Sequence, residues 1–225
     1  MPPPNGSRGR LDIDGIDALL RAEKLELFGG FTATPDDEVP PGTRTLLLIG
    51  PSEPGFWDHV TAAPEFADGG ADPLDRWSAR VLTRIAAEIG ATALFPFGGP
   101  PYLPFIAWAT RSGRAWTSPV GLLVQDRAGL MVSYRGALAL PRDLPVAPAA
   151  ARPCDTCDRP CLSACPVSAL GPDGYDVAAC KAFLDTEAGQ ECLTGGCLVR
   201  RACPVSRTYG RQPVQSAFHM RAFHR

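Results

Sequence analysis

Cys154-Asp-Thr-Cys157-Asp-Arg-Pro-Cys161-Leu-Ser-Ala-Cys165-Pro166 is the stretch on which the reading of this 225-residue chain turns. Its four thiols stand two or three residues apart, so a short loop can aim all of them at one compact centre, and the proline then turns the chain away. Outward from it, Cys180, Cys192, Cys197 and Cys203 complete a set of eight, and Cys203-Pro204 repeats the closing dipeptide, a hint of a duplicated half. Residues 1–150 contain no cysteine. Immediately upstream lies Pro141-Arg-Asp-Leu-Pro-Val-Ala-Pro-Ala-Ala-Ala-Arg-Pro153, which suits neither helix interior nor central strand. Two domains are therefore expected, residues 1–145 and 146–225. The first 150 residues are acidic, with 13 Lys and Arg against 17 Asp and Glu; the remainder reverses this, 9 against 7.

Three chemistries compete for the thiols. Met1–Arg10 shows no apolar leader segment, so a cytoplasmic, reducing setting is expected and disulfides are disfavoured. Four-thiolate zinc sites also use Cys-x2-Cys, but two such sites usually show separated Cys-x2-Cys pairs. Here four cysteines crowd into one run, and ferredoxin runs close in the same Cys-x3-Cys-Pro manner. Eight thiolates suit two [4Fe-4S] clusters. In two-cluster ferredoxins the fourth cysteine of a run serves the other cluster. That rule assigns Cys154, Cys157, Cys161 and Cys203 to one cluster, and Cys165, Cys180, Cys192 and Cys197 to the other. Such crossing would staple a domain whose short helices, for example around Val177–Leu184, bury too little on their own. Gly195-Gly196 is expected to leave the backbone room beside a sulfide.

A net charge of −2 lacks the footprint of a general nucleic-acid binder, and the longest apolar run, near Leu46–Ile49, is too short to span a membrane. In the N-terminal half, the apolar spacing over Leu11–Lys24 predicts a helix and Arg44–Ile49 a buried strand. Asp72 as N-cap, Pro73, the stripe Leu74, Trp77, Val81, Leu82, Ile85 and Ile89, and the stop at Gly90 predict a long helix. Ala91–Phe97 reads as a strand, Gly98–Pro104 as a stiff loop and Phe105–Arg111 as a helix. Val120–Val124 and Leu130–Leu140 read as a hairpin around Asp126–Gly129. The mixture predicts an α+β layer domain.

Phe95, Phe97, Tyr102, Phe105, Trp108 and Trp116 crowd one stretch. Core packing explains them; a flat cofactor pocket is the sharper reading. For that pocket Gly98, Gly99, Pro100, Tyr102, Trp108 and Trp116 are the candidates, with Gly98 and Gly99 admitting close approach. Residues 89–125 contain no Asp, Glu, His, Lys or Cys, so Tyr102 is the candidate proton donor. His59, His219 and His224 read as surface or packing residues, Arg200-Arg201 as a solvated or partner-facing pair, and Phe218–Phe223 as an apolar segment docking the tail.

Cys154–Pro166, Asp176-Val-Ala-Ala-Cys180-Lys-Ala-Phe-Leu-Asp-Thr-Glu187 and the last cysteines ending at Cys203-Pro204 resemble the ferredoxin domain of epoxyqueuosine reductase. Thr45–Ile49, Asp72–Asp75, Val120–Val124 and Gly129–Leu138 are similar to that family's corrinoid domain and to the eukaryotic cobalamin-processing protein. The resemblance implies a nitroreductase-like N-terminal domain, a ferredoxin-like C-terminal domain with two [4Fe-4S] clusters, and cobalamin, or alternatively flavin or no cofactor, in the N-terminal half. The family places a catalytic Asp shortly before a Pro, upstream of a Gly-x-x-Trp matched by Gly113–Trp116; the corresponding Phe97–Pro100 has no acid. Ser118-Pro119 stands where the family has Gly-Lys, Cys161 follows an extra residue, and the second cysteine run is wider. The family's tRNA-holding helical repeat lies beyond Arg225, so no tRNA binding is expected. The implied activity is electron delivery to a corrinoid, reducing it or stripping its upper ligand. The alternative is a ferredoxin-type carrier whose N-terminal domain docks a redox partner protein. No membrane association is expected.

Overall fold

A computed structural model describes residues 11–225 of the chain; the leader reading of Met1–Arg10 lies outside them. The chain opens with α1 (Ile13–Ala22), whose first turn is capped by the Asp12 carboxylate accepting from Gly15 N–H. It continues into β1 (Leu25–Thr32) and β2 (Thr45–Pro51). Two short helices, α2 (Phe56–Thr61) and α3 (Pro64–Ala67), precede α4 (Pro73–Ile89). Then come β3 (Thr92–Leu94), α5 (Phe105–Arg111), β4 (Ala115–Thr117), β5 (Leu123–Gln125) and β6 (Gly136–Leu140).

β2 is buried along its whole length because both faces of its sheet are covered. Leu47 and Ile49 join α1, α2 and α4 in one core through Ile16, Phe56, Trp77, Val81 and Ile85. Leu46 and Leu48 point the opposite way, toward Phe28, Phe105, Trp108 and Tyr134. The antiparallel order is β1-β2-β6-β3. A bulge at Phe28 shifts β1 between Leu27 and Gly29, turning that ring into the second core. Gly50 accommodates it, since a Cβ there would lie 2.2 Å from the Phe28 ring.

Several expectations are corrected. Val120–Val124 and Leu130–Leu140 do not form a hairpin with each other: β5 pairs with β4, whereas β6 lies between β2 and β3. Only the bridge Gln125–Gly129 remains of the expected turn. The strand expected over Ala91–Phe97 is limited to three residues. Asp72 precedes α4 in a left-handed conformation, φ 46°, and makes no side-chain cap bond. β1 had no sequence signal strong enough to be read, because Glu26 and Gly29-Gly30 interrupt its apolar pattern.

Residues 141–152 carry neither helix nor strand. Beyond them two 3-10 turns, Pro153–Thr156 and Pro160–Ser163, carry the first thiols. A small hairpin follows, β7 (Leu170–Gly171) with β8 (Gly174–Tyr175). Five helices complete the chain: α6 (Val177–Leu184), α7 (Gln190–Gly195), α8 (Leu198–Ala202), α9 (Pro204–Thr208) and α10 (Pro213–His224). This region packs on the first: Val120, Val124 and Leu130 share a cluster with Cys161, Leu170, Val199 and Cys203. Phe218 of α10 sits 5.2 Å from Trp57 and 5.9 Å from Phe66, docking the tail as expected. Helices with antiparallel sheets make the chain α+β. Among the described residues no helix is long and apolar enough to cross a membrane.

Candidate metal centre

All eight cysteines are free thiols. Cys154 and Cys161 ride on the two 3-10 turns, Cys157 and Cys165 on the loops after them, Cys180 on α6 and Cys192 on α7. Cys197 opens α8, and Cys203 joins α8 to α9, where Pro204 occupies the first helical position. Burial pushes the thiols of Cys154, Cys161, Cys180 and Cys192 above the ordinary range. Neighbouring thiols push the same way. Cys154 and Cys161 feel Cys157 and Cys203, and Cys161 also feels Cys154. Cys180 feels Cys197 and Cys165, and Cys192 feels Cys197 and Cys180.

Around the second four the packing is explicit. Cys165, Cys180, Cys192 and Cys197 line one small cavity of about 20 Å³ whose other walls include Leu170, Phe183, Leu184, Val199 and Met220. Donors already point at sulfur: Ala169 N–H to Cys165 Sγ at 3.2 Å, Tyr175 O–H to Cys180 Sγ at 3.3 Å, and Arg159 N–H to Cys157 Sγ at 3.3 Å. The backbone of Leu198 bonds Cys192 and holds its thiol down, against burial. Among the described residues no three His, Cys, Asp or Glu side chains converge tightly enough to hold one metal ion. Gly196 has φ 94°, but a Cβ there would meet Ser216 of α10 at 2.5 Å, so its freedom serves helix packing rather than a sulfide.

The six candidates for a planar cofactor are placed in different regions. Gly98, Gly99 and Tyr102 border an open depression of about 280 Å³ with Phe95, Phe97 and Leu103. Pro100 lies in the same exposed loop, and Tyr102 is 66% exposed. Trp108 is 1% exposed in the core, its Nε1–H donating to the Asp37 carbonyl at 2.6 Å. Trp116 packs against the cluster of Val120, Leu130 and Cys161.

A second cavity, of about 210 Å³, lies where the loop Met131–Ser133 meets β8, the start of α8 and α10. Cys180 and Cys197 form part of its wall, with Arg200, Arg211 and His219.

No family model matches the chain, and no solved structure does. Epoxyqueuosine reductase from Xanthomonas campestris pv. campestris is 28% identical over 172 residues, covering 67% of this chain and 45% of that protein. The match supports a relation to the epoxyqueuosine reductases. The chain spans less than half the length of this relative.

Sequence reasoning missed the second cavity's polar residues because they come from separate elements. Arg200 is not solvated: it turns inward and donates to the Leu130 carbonyl. Its neighbour Arg201 does face outward, 3.0 Å from Glu191. His219 is half-buried, and burial first, then Arg211, Arg135 and Arg200, hold its imidazole well below the ordinary range, so it is neutral at pH 7. His59 and His224 pair with Glu23 and Asp185 at 3.1 and 2.9 Å.

Proposed function

We propose that this chain is an iron–sulfur redox protein that delivers electrons from two [4Fe-4S] clusters to an acceptor seated against its N-terminal half. One cluster would be held by Cys154, Cys157, Cys161 and Cys203, the other by Cys165, Cys180, Cys192 and Cys197. Residues 146–225 would act as the ferredoxin-like domain and residues 1–145 as a nitroreductase-like one. The observation that carries the reading is geometric: Cys165, Cys180, Cys192 and Cys197, from distant chain segments, line one small cavity. The relation to epoxyqueuosine reductase supports an oxidoreductase of this kind.

When bound, the clusters supply single electrons. The chain orients and tunes them. N–H and O–H donors from Arg159, Ala169 and Tyr175 favour the more negative, reduced state and raise the potential. Cys180 and Cys197 carry the second set to the wall of the larger cavity, so an acceptor there lies against the ligands themselves. The six residues considered for a corrinoid or flavin line no common cavity, and no step is derived through either group. Epoxyqueuosine reduction is not proposed, because Phe97–Pro100 offers no acid. Exposed Tyr102 and Ile106, at the loop and on α5, favour the second reading, in which this face docks a redox partner protein.

Anaerobic purification with iron, zinc and sulfide analysis tests the proposal. It expects about eight irons and eight sulfides per chain. Zinc without sulfide would overturn it. Titration with cobalamin, followed by tryptophan fluorescence, tests the corrinoid as acceptor.

A further inference from the structure

We propose that the 210 Å³ cavity between Met131–Ser133 and α10 binds a small apolar molecule through a terminal oxyanion, a carboxylate or phosphate monoester, gripped by Arg200 and Arg211. This deepens the functional reading and rests on it for the role of the ligand: it names the chemical class of the molecule seated beside the second thiol set.

The charges are one-sided. Arg200, Arg211 and His219 line the cavity, and no Asp or Glu does. Both arginines are half-buried and protonated at neutral pH. Each is anchored by one bond to a backbone carbonyl, Arg200 to Leu130 and Arg211 to Met131 at 2.8 Å. Those bonds orient the guanidinium groups without neutralising them. Arg211 Nε is buried and has no hydrogen-bond partner. No ion pair among the described residues includes Arg200 or Arg211; the Glu53 carboxylate, which does not line the cavity, acts on Arg211 from outside it and offsets part of that charge. A buried donor on a cation without an acceptor is costly, and an oxyanion supplies both the acceptor and the charge.

The remaining walls set the rest of the ligand. Leu122, Met131 and Met220 are apolar, and Tyr175 stacks on Phe223 at 5.9 Å and 16°, giving a flat aromatic side. The volume falls below the roughly 300 Å³ at which ordinary small-molecule sites begin. It therefore suits a compact molecule or the end of a larger one. The competing explanation is that the arginines only balance the negative charge of the second cluster; in that case a neutral molecule of equal shape would enter as well as an anion.

The test uses the full chain, purified anaerobically, with iron and sulfide measured on the same sample. Calorimetry with benzoate, phenyl phosphate and benzamide compares a carboxylate, a phosphate and a neutral group on one ring. One of the two anions is expected to bind once per chain and at least about tenfold more tightly than benzamide; which one identifies the oxyanion. Arg211→Met is expected to lose about tenfold or more. Leu122→Trp, which fills the cavity from the cysteine-free half and leaves the charges intact, is expected to abolish binding. Benzamide binding as tightly as the anions, no binding of any of the three, or unchanged binding by Leu122→Trp would overturn the proposal. Oxyanion binding by a chain without iron or sulfide would sink the functional reading and leave this site standing. Clusters with no oxyanion binding would do the reverse.

Discussion

Gly129 joins the two halves of the chain through an absent methyl group. Its φ is +58°, and a Cβ would lie 2.6 Å from Ser206 N, 2.7 Å from Ser206 Oγ and 3.0 Å from Cys203 Sγ. The next residue is tied to the same serine, Leu130 N–H donating to Ser206 Oγ at 2.9 Å. Gly129→Ala must therefore displace the backbone that follows Cys203. We expect a loss of about 2 kcal/mol in stability and a selective loss of iron from the first set, read by thermal unfolding and iron content. Glu26 carries a pH prediction. It is almost fully buried and paired with Arg127, yet burial dominates and raises its carboxyl above the ordinary value near 4.5. Above that value the unfolded chain is ionised while the folded one still favours the proton, so stability falls as pH rises through the folded value. Glu26→Gln removes this penalty. Its melting temperature relative to the parent should climb as pH rises above the ordinary carboxyl value near 4.5; a constant difference would contradict the assignment.

At the scale of elements, helices were more legible than strand partners. The stripe on α4 lies in a core with the expected faces, and α5 covers the expected Phe105–Arg111. Periodicity reports which face of an element is buried, so it carries this much. It does not report against what. β5 and β6 are close in sequence, yet β6 has better partners in β2 and β3, and β5 is left to β4. β1 was hidden because a bulge breaks its alternation, and Gly29-Gly30 reads locally as a turn. α10 shows the converse: an apolar tail segment was visible, but its seat against Trp57 and Phe66 was not. Phe218→Ala should cost about 2 kcal/mol, less than a fully buried phenylalanine because Phe218 is only half-buried. Urea unfolding of the full chain measures it, and an unchanged midpoint would show that α10 is not held by this contact.

The whole molecule combines two regions with different sources of cohesion. Residues before 141 build most of two apolar cores around one sheet. The later region has short helices and a cluster rich in cysteine, and under the proposed function its segments would be joined at the two thiol sets. Removing iron with a chelator should therefore disorder residues beyond about 150 first, because metal binding supplies folding free energy where a core cannot. The amides of β2 and β6 should stay protected from hydrogen exchange meanwhile. Simultaneous loss of protection in both regions would contradict this division.

The proposed ligand chemistry rests on one short run because Cys154–Cys165 is local: thiols two and three residues apart can meet wherever the loop goes. The buried strand Thr45–Ile49 and the α4 stripe were legible for the same reason, each being a pattern within one element. The core-packing reading of the aromatic run holds for Phe105 and Trp108, but the pocket reading does not gather its rings, since sequence proximity says nothing about which side of a sheet a ring will occupy. The cavity of Arg200, Arg211 and His219 left no mark in the sequence at all. Its residues come from separate turns and helices, and burial of their charges exists only once those elements have packed. Bonding chemistry and periodicity are properties of neighbours along the chain; the environment that gives a charge its task is a property of neighbours in space.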